Sequence, residues 1–145
     1  MKSDRDTSEL DRSAYGAARV SAQRLAIARA ADAGAGRAFS VEELASEVHR
    51  LHPGIGLATV YRAVAAMEKA GFIEGLGTRD GATVYARCEH GGHHHHVMCT
   101  SCGAVTEVTC TVDTPPSPGP SGFEVTDHRL VLYGLCGPCR DRRAG

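Results

Sequence analysis

Apolar positions recur at helical intervals along the first part of the chain and lose that spacing near residue 88. Residues 18–33, ARVSAQRLAIARAADA, are rich in strong helix formers and stop at Gly34, with Ser21 available as an interior or capping hydroxyl. Ser40 opens SVEE, a capping-box pattern completed by Glu43, and Val41, Leu44, Ala45, Val48 and Leu51 follow at helical spacing. The stretch HPGIG at 52–56 interrupts this pattern, because proline cannot continue the hydrogen-bond ladder. A third helix from Leu57 puts Leu57, Val60, Tyr61, Val64 and Met67 on one face, and Gly71 ends it. Two extended runs, FIEGL at 72–76 and TVYAR at 83–87, flank TRDGA, whose Asp80-Gly81 pair favours a hairpin turn. Helix, helix, turn, helix, hairpin is the order of a winged helix-turn-helix, expected over residues 1–86.

From 87 to 145 the pattern is of another kind. Two strand-like runs, VTEVT at 105–109 and RLVLYGL at 129–135, are separated by the Pro-rich stretch PPSPGPSG. So few large apolar side chains cannot bury much core, so this smaller α/β domain needs staples or a partner chain. The fold class expected for the whole is α+β.

The cysteines supply a staple. Cys99-x-x-Cys102 and Cys136-x-x-Cys139 offer four thiolates, the closed tetrahedral shell that structural zinc prefers. The run His93–His96 lies just upstream. In an extended segment successive side chains alternate, so His93 and His95 face one way and His94 and His96 the other, giving two sites with two imidazoles each. Each pair needs further donors. Cys88 and His128 are foremost, and Glu74, Glu89, His90, Glu107, Asp113 and Asp127 are others; the sequence does not sort them. A zinc hydrolase or deaminase would carry HExxH, or HxE followed by PCxxC, and neither is present, so no enzyme is expected.

Composition changes the picture little: a formal net charge of -1 does not announce a nucleic-acid binder. Local segregation does more. Asp4, Asp6, Glu9 and Asp11 crowd the first dozen residues, and Arg19, Arg24 and Arg29 follow with no acid until Asp32. In a winged unit the helix after the turn enters the major groove of double-stranded DNA, so Ala58, Thr59, Tyr61 and above all Arg62, with Arg24 from the basic run, are the expected contacts. No apolar run is long enough to cross a membrane and the N-terminus is charged, which points to the cytoplasm.

Four stretches, AQRLAI at 22–27, GLATVYRAVAAMEKAGFIE at 56–74, HHHHVMCTSCGAVTEV at 93–108 and DHRLVLYGLCGPC at 127–139, resemble the ferric uptake regulator family of metal-responsive transcription factors, in the family's order. The resemblance implies a homodimer whose winged helices bind a palindromic operator and whose C-terminal halves dimerise through strands, repressing uptake genes when metal is replete. It also implies a regulatory zinc site at Glu74, Cys88, His94 and His96. A soft thiolate, two imidazoles and a carboxylate favour zinc over the harder shells of iron and manganese sensing; the alternative is a peroxide, iron, manganese or nickel sensor on the same scaffold. Ala38 and Phe39 stand where iron regulators place a histidine. By the same matching, His93, His95 and His128 resemble three ligands of an additional regulatory site. Its usual glutamate falls at Thr114, with Asp113 beside it as the substitute. Cys110 could be a fourth ligand there, a redox switch or a small buried side chain.

Overall fold

A computed structural model describes residues 4–16, 19–110 and 122–145. The chain forms two compact units, Met1–Glu89 and His90–Gly145.

The first unit runs α1 (Asp4–Tyr15), α2 (Ala22–Ala33), β1 (Phe39–Ser40), α3 (Val41–Leu51), α4 (Leu57–Lys69), β2 (Ile73–Arg79) and β3 (Ala82–Arg87). α2 begins at Ala22 rather than residue 18 because Ser21 is extended (φ -76°, ψ 159°) and its hydroxyl accepts the Arg24 N–H. At α3 the capping box is complete: Ser40 Oγ accepts the Glu43 N–H at 3.1 Å, and the Glu43 carboxylate accepts the Ser40 N–H at 2.7 Å. The helices pack Ile27, Ala28 and Ala31 of α2, Val41, Leu44 and Val48 of α3, and Val60, Val64 and Met67 of α4 against Phe72 and Ile73, with Ala14 and Tyr15 of α1 joining them. Leu57 and Tyr61, expected on the packed face, are 49% and 47% exposed. The buried stripe of α4 runs through Val60, Ala63, Val64 and Met67, and those two residues lie on its flank.

β1, β3 and β2 form an antiparallel sheet in that order. Arg79 pairs with Ala82, and Asp80 and Gly81 between them both have positive φ (52° and 80°), as a two-residue hairpin turn of the primed kind requires. Helix, turn, helix and wing are all present.

The second unit holds β4 (His94–Cys99), β5 (Val105–Thr109), β6 (Val131–Gly134) and α5 (Gly137–Ala144). Its sheet order is β5-β4-β6, with β5 antiparallel and β6 parallel to β4. β6 is shorter than the apolar run that announced it, and α5 was not anticipated. Among the described residues, the buried side chains here are those of His95, His96, Met98, Cys99 and Cys139, with Gly103 buried beside them. Met98 is the one large aliphatic side chain in that set, far less than a free-standing core needs. Asp113 and residues 115–121 of the Pro-rich stretch lie outside the described residues. Among the described residues no helix is long and apolar enough to cross a membrane.

Candidate metal centres

None of the six cysteines is in a disulfide. β4 ends at Cys99, and a tight turn follows: the Gly103 N–H donates to Cys99 O at 3.0 Å and the Cys99 N–H to Ala104 O at 2.8 Å, with Gly103 at φ 76°. Cys136 is the N-cap of α5, which carries Cys139 in its first turn. The Thr100 N–H donates to Gly134 O at 2.9 Å, joining the two knuckles. As a result the sulfurs of Cys99, Cys102, Cys136 and Cys139 all lie within 4.8 Å of one another, Cys102 Sγ and Cys136 Sγ being 3.7 Å apart. Zinc–sulfur bonds of about 2.3 Å at tetrahedral angles put sulfurs about 3.8 Å apart, so the set fits such an ion. The backbone N–H groups of Cys136 and then Cys102 pull the Cys99 thiol down to about 6. The Cys139 thiol is also lowered, chiefly by the Ser101 hydroxyl, and Arg142 Nη2 donates to its sulfur at 2.8 Å. Arg142, a residue the sequence did not single out, would thus help offset the charge of the set with an ion bound.

At the opposite end of the same sheet a second cluster gathers. His93 and His95 share one face at the start of β4, Cys110 follows β5, and His128 precedes β6; one donor atom from each lies within 4.8 Å of the others. His128 Nε2 is 3.1 Å from His93 Nε2, 3.1 Å from His95 Nε2 and 3.1 Å from Cys110 Sγ. One ring nitrogen makes one hydrogen bond, so three such neighbours exceed what hydrogen bonding can satisfy. Donor atoms directed at a shared cation meet in this way. The expected alternation of the four histidines is therefore present, and Cys110 stands with three of them.

His94 and His96 occupy the other face, with ring centroids 4.9 Å apart. His94 Nδ1 donates to Gly92 O at 3.0 Å, since a carbonyl only accepts, which leaves Nε2 of the neutral ring with its lone pair. That Nε2 is buried, makes no hydrogen bond, and lies 3.5 Å from the Glu107 carboxylate. His96 Nε2 is 4.0 Å from the same oxygen, and His90 Nδ1 pairs with the other carboxylate oxygen. In the first unit, Glu74 pairs with Ala86 across the wing sheet, and the Cys88 N–H donates to Phe72 O at 3.0 Å. Glu74 and Cys88 are thus diagonal neighbours on one face of that sheet.

Of the positions expected to meet DNA, Ala58, Tyr61 and Arg62 are exposed along α4 and Thr59 is half-buried. Arg62 Nη2 donates to Thr59 Oγ1 at 3.3 Å, and the Tyr61 hydroxyl donates to Glu42, which holds that carboxyl below its usual range and raises the phenol. Arg24 lies over the Tyr15 ring, 5.4 Å from its centroid, and the Tyr15 hydroxyl donates to Arg24 O at 2.7 Å.

The profile of the ferric uptake regulator family matches residues 16–133. A zinc uptake regulation protein of Mycobacterium tuberculosis (strain ATCC 25618 / H37Rv) is 38% identical over 110 residues, covering 70% of this chain and 79% of that protein. A ferric uptake regulation protein of Neisseria meningitidis serogroup B is 34% identical over 91 residues, covering 59% and 61%. Among solved structures, a zinc-bound manganese uptake regulator is similar with a TM-score of 0.58 at 30% identity, covering 88% of this chain and 98% of that one. A zinc uptake regulator complexed with zinc and DNA shares the fold with a TM-score of 0.76 at 21% identity, covering 100% and 99%. With its winged helix, its α+β order and its clustered thiols and imidazoles, the chain belongs to the ferric uptake regulator family, whose members are metal-responsive transcriptional regulators and not enzymes.

Proposed function

We propose that this protein is a zinc-responsive repressor that binds palindromic operators in double-stranded DNA as a metal-loaded homodimer and controls zinc uptake and homeostasis genes. Residues 1–86 bind DNA; residues 87–145 dimerise and hold metal. The observation that carries the reading is the donor set. Cys99, Cys102, Cys136 and Cys139 form the structural site, and Glu74, Cys88, His94 and His96 are the regulatory ligands, with Cys88 supplying the sulfur that iron and manganese sensing does not call for. The similarity to a zinc uptake regulation protein supports the same metal. Zinc, when bound, supplies a tetrahedral centre that gathers four donors.

The chain's own residues do the rest. Glu74 and Cys88 belong to the wing side and His94 and His96 to the sheet side, so their joint ligation restricts the hinge and favours the arrangement in which two α4 helices meet successive major grooves. The gain equals the difference in affinity between that arrangement and the others. Arg62, Thr59, Tyr61 and Ala58 on α4, with Arg24, make the DNA contacts. Leu130, Leu132 and Tyr133, 42%, 44% and 56% exposed at the β6 edge, support strand-mediated dimerisation.

A second reading, an iron, manganese, nickel or peroxide sensor, is favoured by Glu107, whose carboxylate lies 3.5 Å from His94 Nε2 and would give a harder donor set. Operator affinity and metal content measured separately under zinc, iron, manganese and nickel decide between them. On the zinc reading, Cys88→Ser abolishes zinc-dependent operator binding while the protein stays folded. Retained repression with ordinary zinc dependence would sink it.

A further inference from the structure

We propose that His93, His95, His128 and Cys110 form a complete three-imidazole, one-thiolate site for a thiophilic divalent ion of the zinc or cobalt kind, which clasps the sheet of the second unit at the end away from the four cysteines. The proposal rests on the metal-sensing reading: three of the donors are those the resemblance implies for an additional regulatory site, and what is new is the fourth, a sulfur in place of a carboxylate.

Three observations converge on it. The first is the crowding at His128 Nε2, with two imidazole nitrogens and a sulfur each at 3.1 Å, which one ring nitrogen cannot satisfy by hydrogen bonding. Tetrahedral bonds of about 2.0–2.1 Å to nitrogen and 2.3 Å to sulfur put such donors about 3.3–3.6 Å apart, so a small relaxation admits the ion. The second is topology. β4 pairs His94 with Thr109 and His96 with Val131, so the start of β4, the residue after β5 and the residues before β6 meet at one sheet end. The ends of all three strands contribute, whereas the cysteine site at the other end draws on β4, the turn after it and the start of α5. The third is chemistry: thiolate in place of oxygen moves preference from manganese and iron(II) toward zinc, and the thiol of Cys110 gives its proton to water as the ion binds.

Cys110 and His128 are 18 residues apart, so their common ion also closes the intervening segment into a loop and removes freedom from the unfolded chain. Loading this site therefore stabilises the second unit, whose described residues bury little apolar surface.

The test uses full-length Cys88→Ser protein carrying its structural zinc, with no DNA, so that it stands apart from operator binding. Cobalt(II) is expected to add one equivalent per chain with an intense sulfur-to-cobalt charge-transfer band and a raised thermal transition. Cys110→Ser in that background loses the band, and its cobalt affinity falls by more than the roughly tenfold that loss of even an outer-shell partner costs. Cys110→Glu keeps cobalt without the band, and Asp113→Asn keeps both. Should Cys110→Ser fail to fold, alkylation of Cys110 in the Cys88→Ser protein gives the same answer, slowing when zinc is added. Cobalt bound without the band, a band that survives Cys110→Ser, loss of the band with Asp113→Asn, or alkylation indifferent to zinc would each overturn the proposal. Failure of the proposed regulatory ligation by Glu74, Cys88, His94 and His96 is read separately, from zinc-dependent operator affinity of the wild-type protein.

Discussion

Single side chains set the metal chemistry here through what stands behind them. Arg142 donates to Cys139 Sγ at 2.8 Å, so Arg142→Ala is expected to speed zinc loss to a chelator on the order of tenfold while leaving the fold intact. An unchanged transfer rate to a colorimetric chelator would refute this role. The sequence showed the four thiols plainly, because Cys-x-x-Cys spacing is itself the geometry of a knuckle. Arg142 was invisible in the sequence, since its value depends on α5 turning it back onto the sulfur. Cys110 was legible as one of several readings, a fourth ligand, a redox switch or a small buried side chain, and the sequence does not choose among them. The choice depends on how the ends of three strands meet, while counting along the chain points equally to Asp113.

At the scale of elements, local signals were read best. SVEE became a capping box and Asp80-Gly81 a turn with two left-handed residues, because both depend on a few neighbouring atoms. Ser40→Ala removes the cap and is expected to cost about 1 kcal/mol, and Gly81→Ala, forced to hold φ 80°, about 1–2 kcal/mol, both measurable as shifts in the urea midpoint. A midpoint unchanged in either variant would show that the wing or cap contributes nothing. α1 escaped notice because its acidic residues dominate the pattern, whereas its anchoring rests on Ala14 and Tyr15 near its end. α5 escaped because its start is disguised as a metal motif, though Pro138 just inside the helix was a usable signal. β1 is two residues long, too short for any periodicity.

For the whole molecule, the two units divide stability between different forces. The apolar cluster of the first unit, from Ala14 to Ile73, is self-sufficient, and Phe72→Ala is expected to destabilise it by about 3–5 kcal/mol. On the proposed reading, the second unit leans on a metal ion. Removing the ion from the four cysteines with a strong chelator is expected to abolish the strand signal and thermal transition of residues 90–145, and to leave the helical signal and transition of the winged unit standing. Calorimetry and far-ultraviolet circular dichroism of the chelated protein check this; unaltered transitions would mean that the thiols are not a staple.

The four adjacent histidines of β4 carry a hazard of their own. Because strand side chains repeat every two residues, sliding β4 by one position would present imidazoles to both faces almost as before, yet hand each pair to the wrong companions. Nothing within the repeat distinguishes the two alignments. Cys99, fixed in its knuckle at the far end, breaks the tie. Deleting Val97 should accordingly leave an intact cysteine site and a strand that still offers imidazoles, but with His93 turned toward the carboxylate of Glu107 and His94 toward the thiol of Cys110.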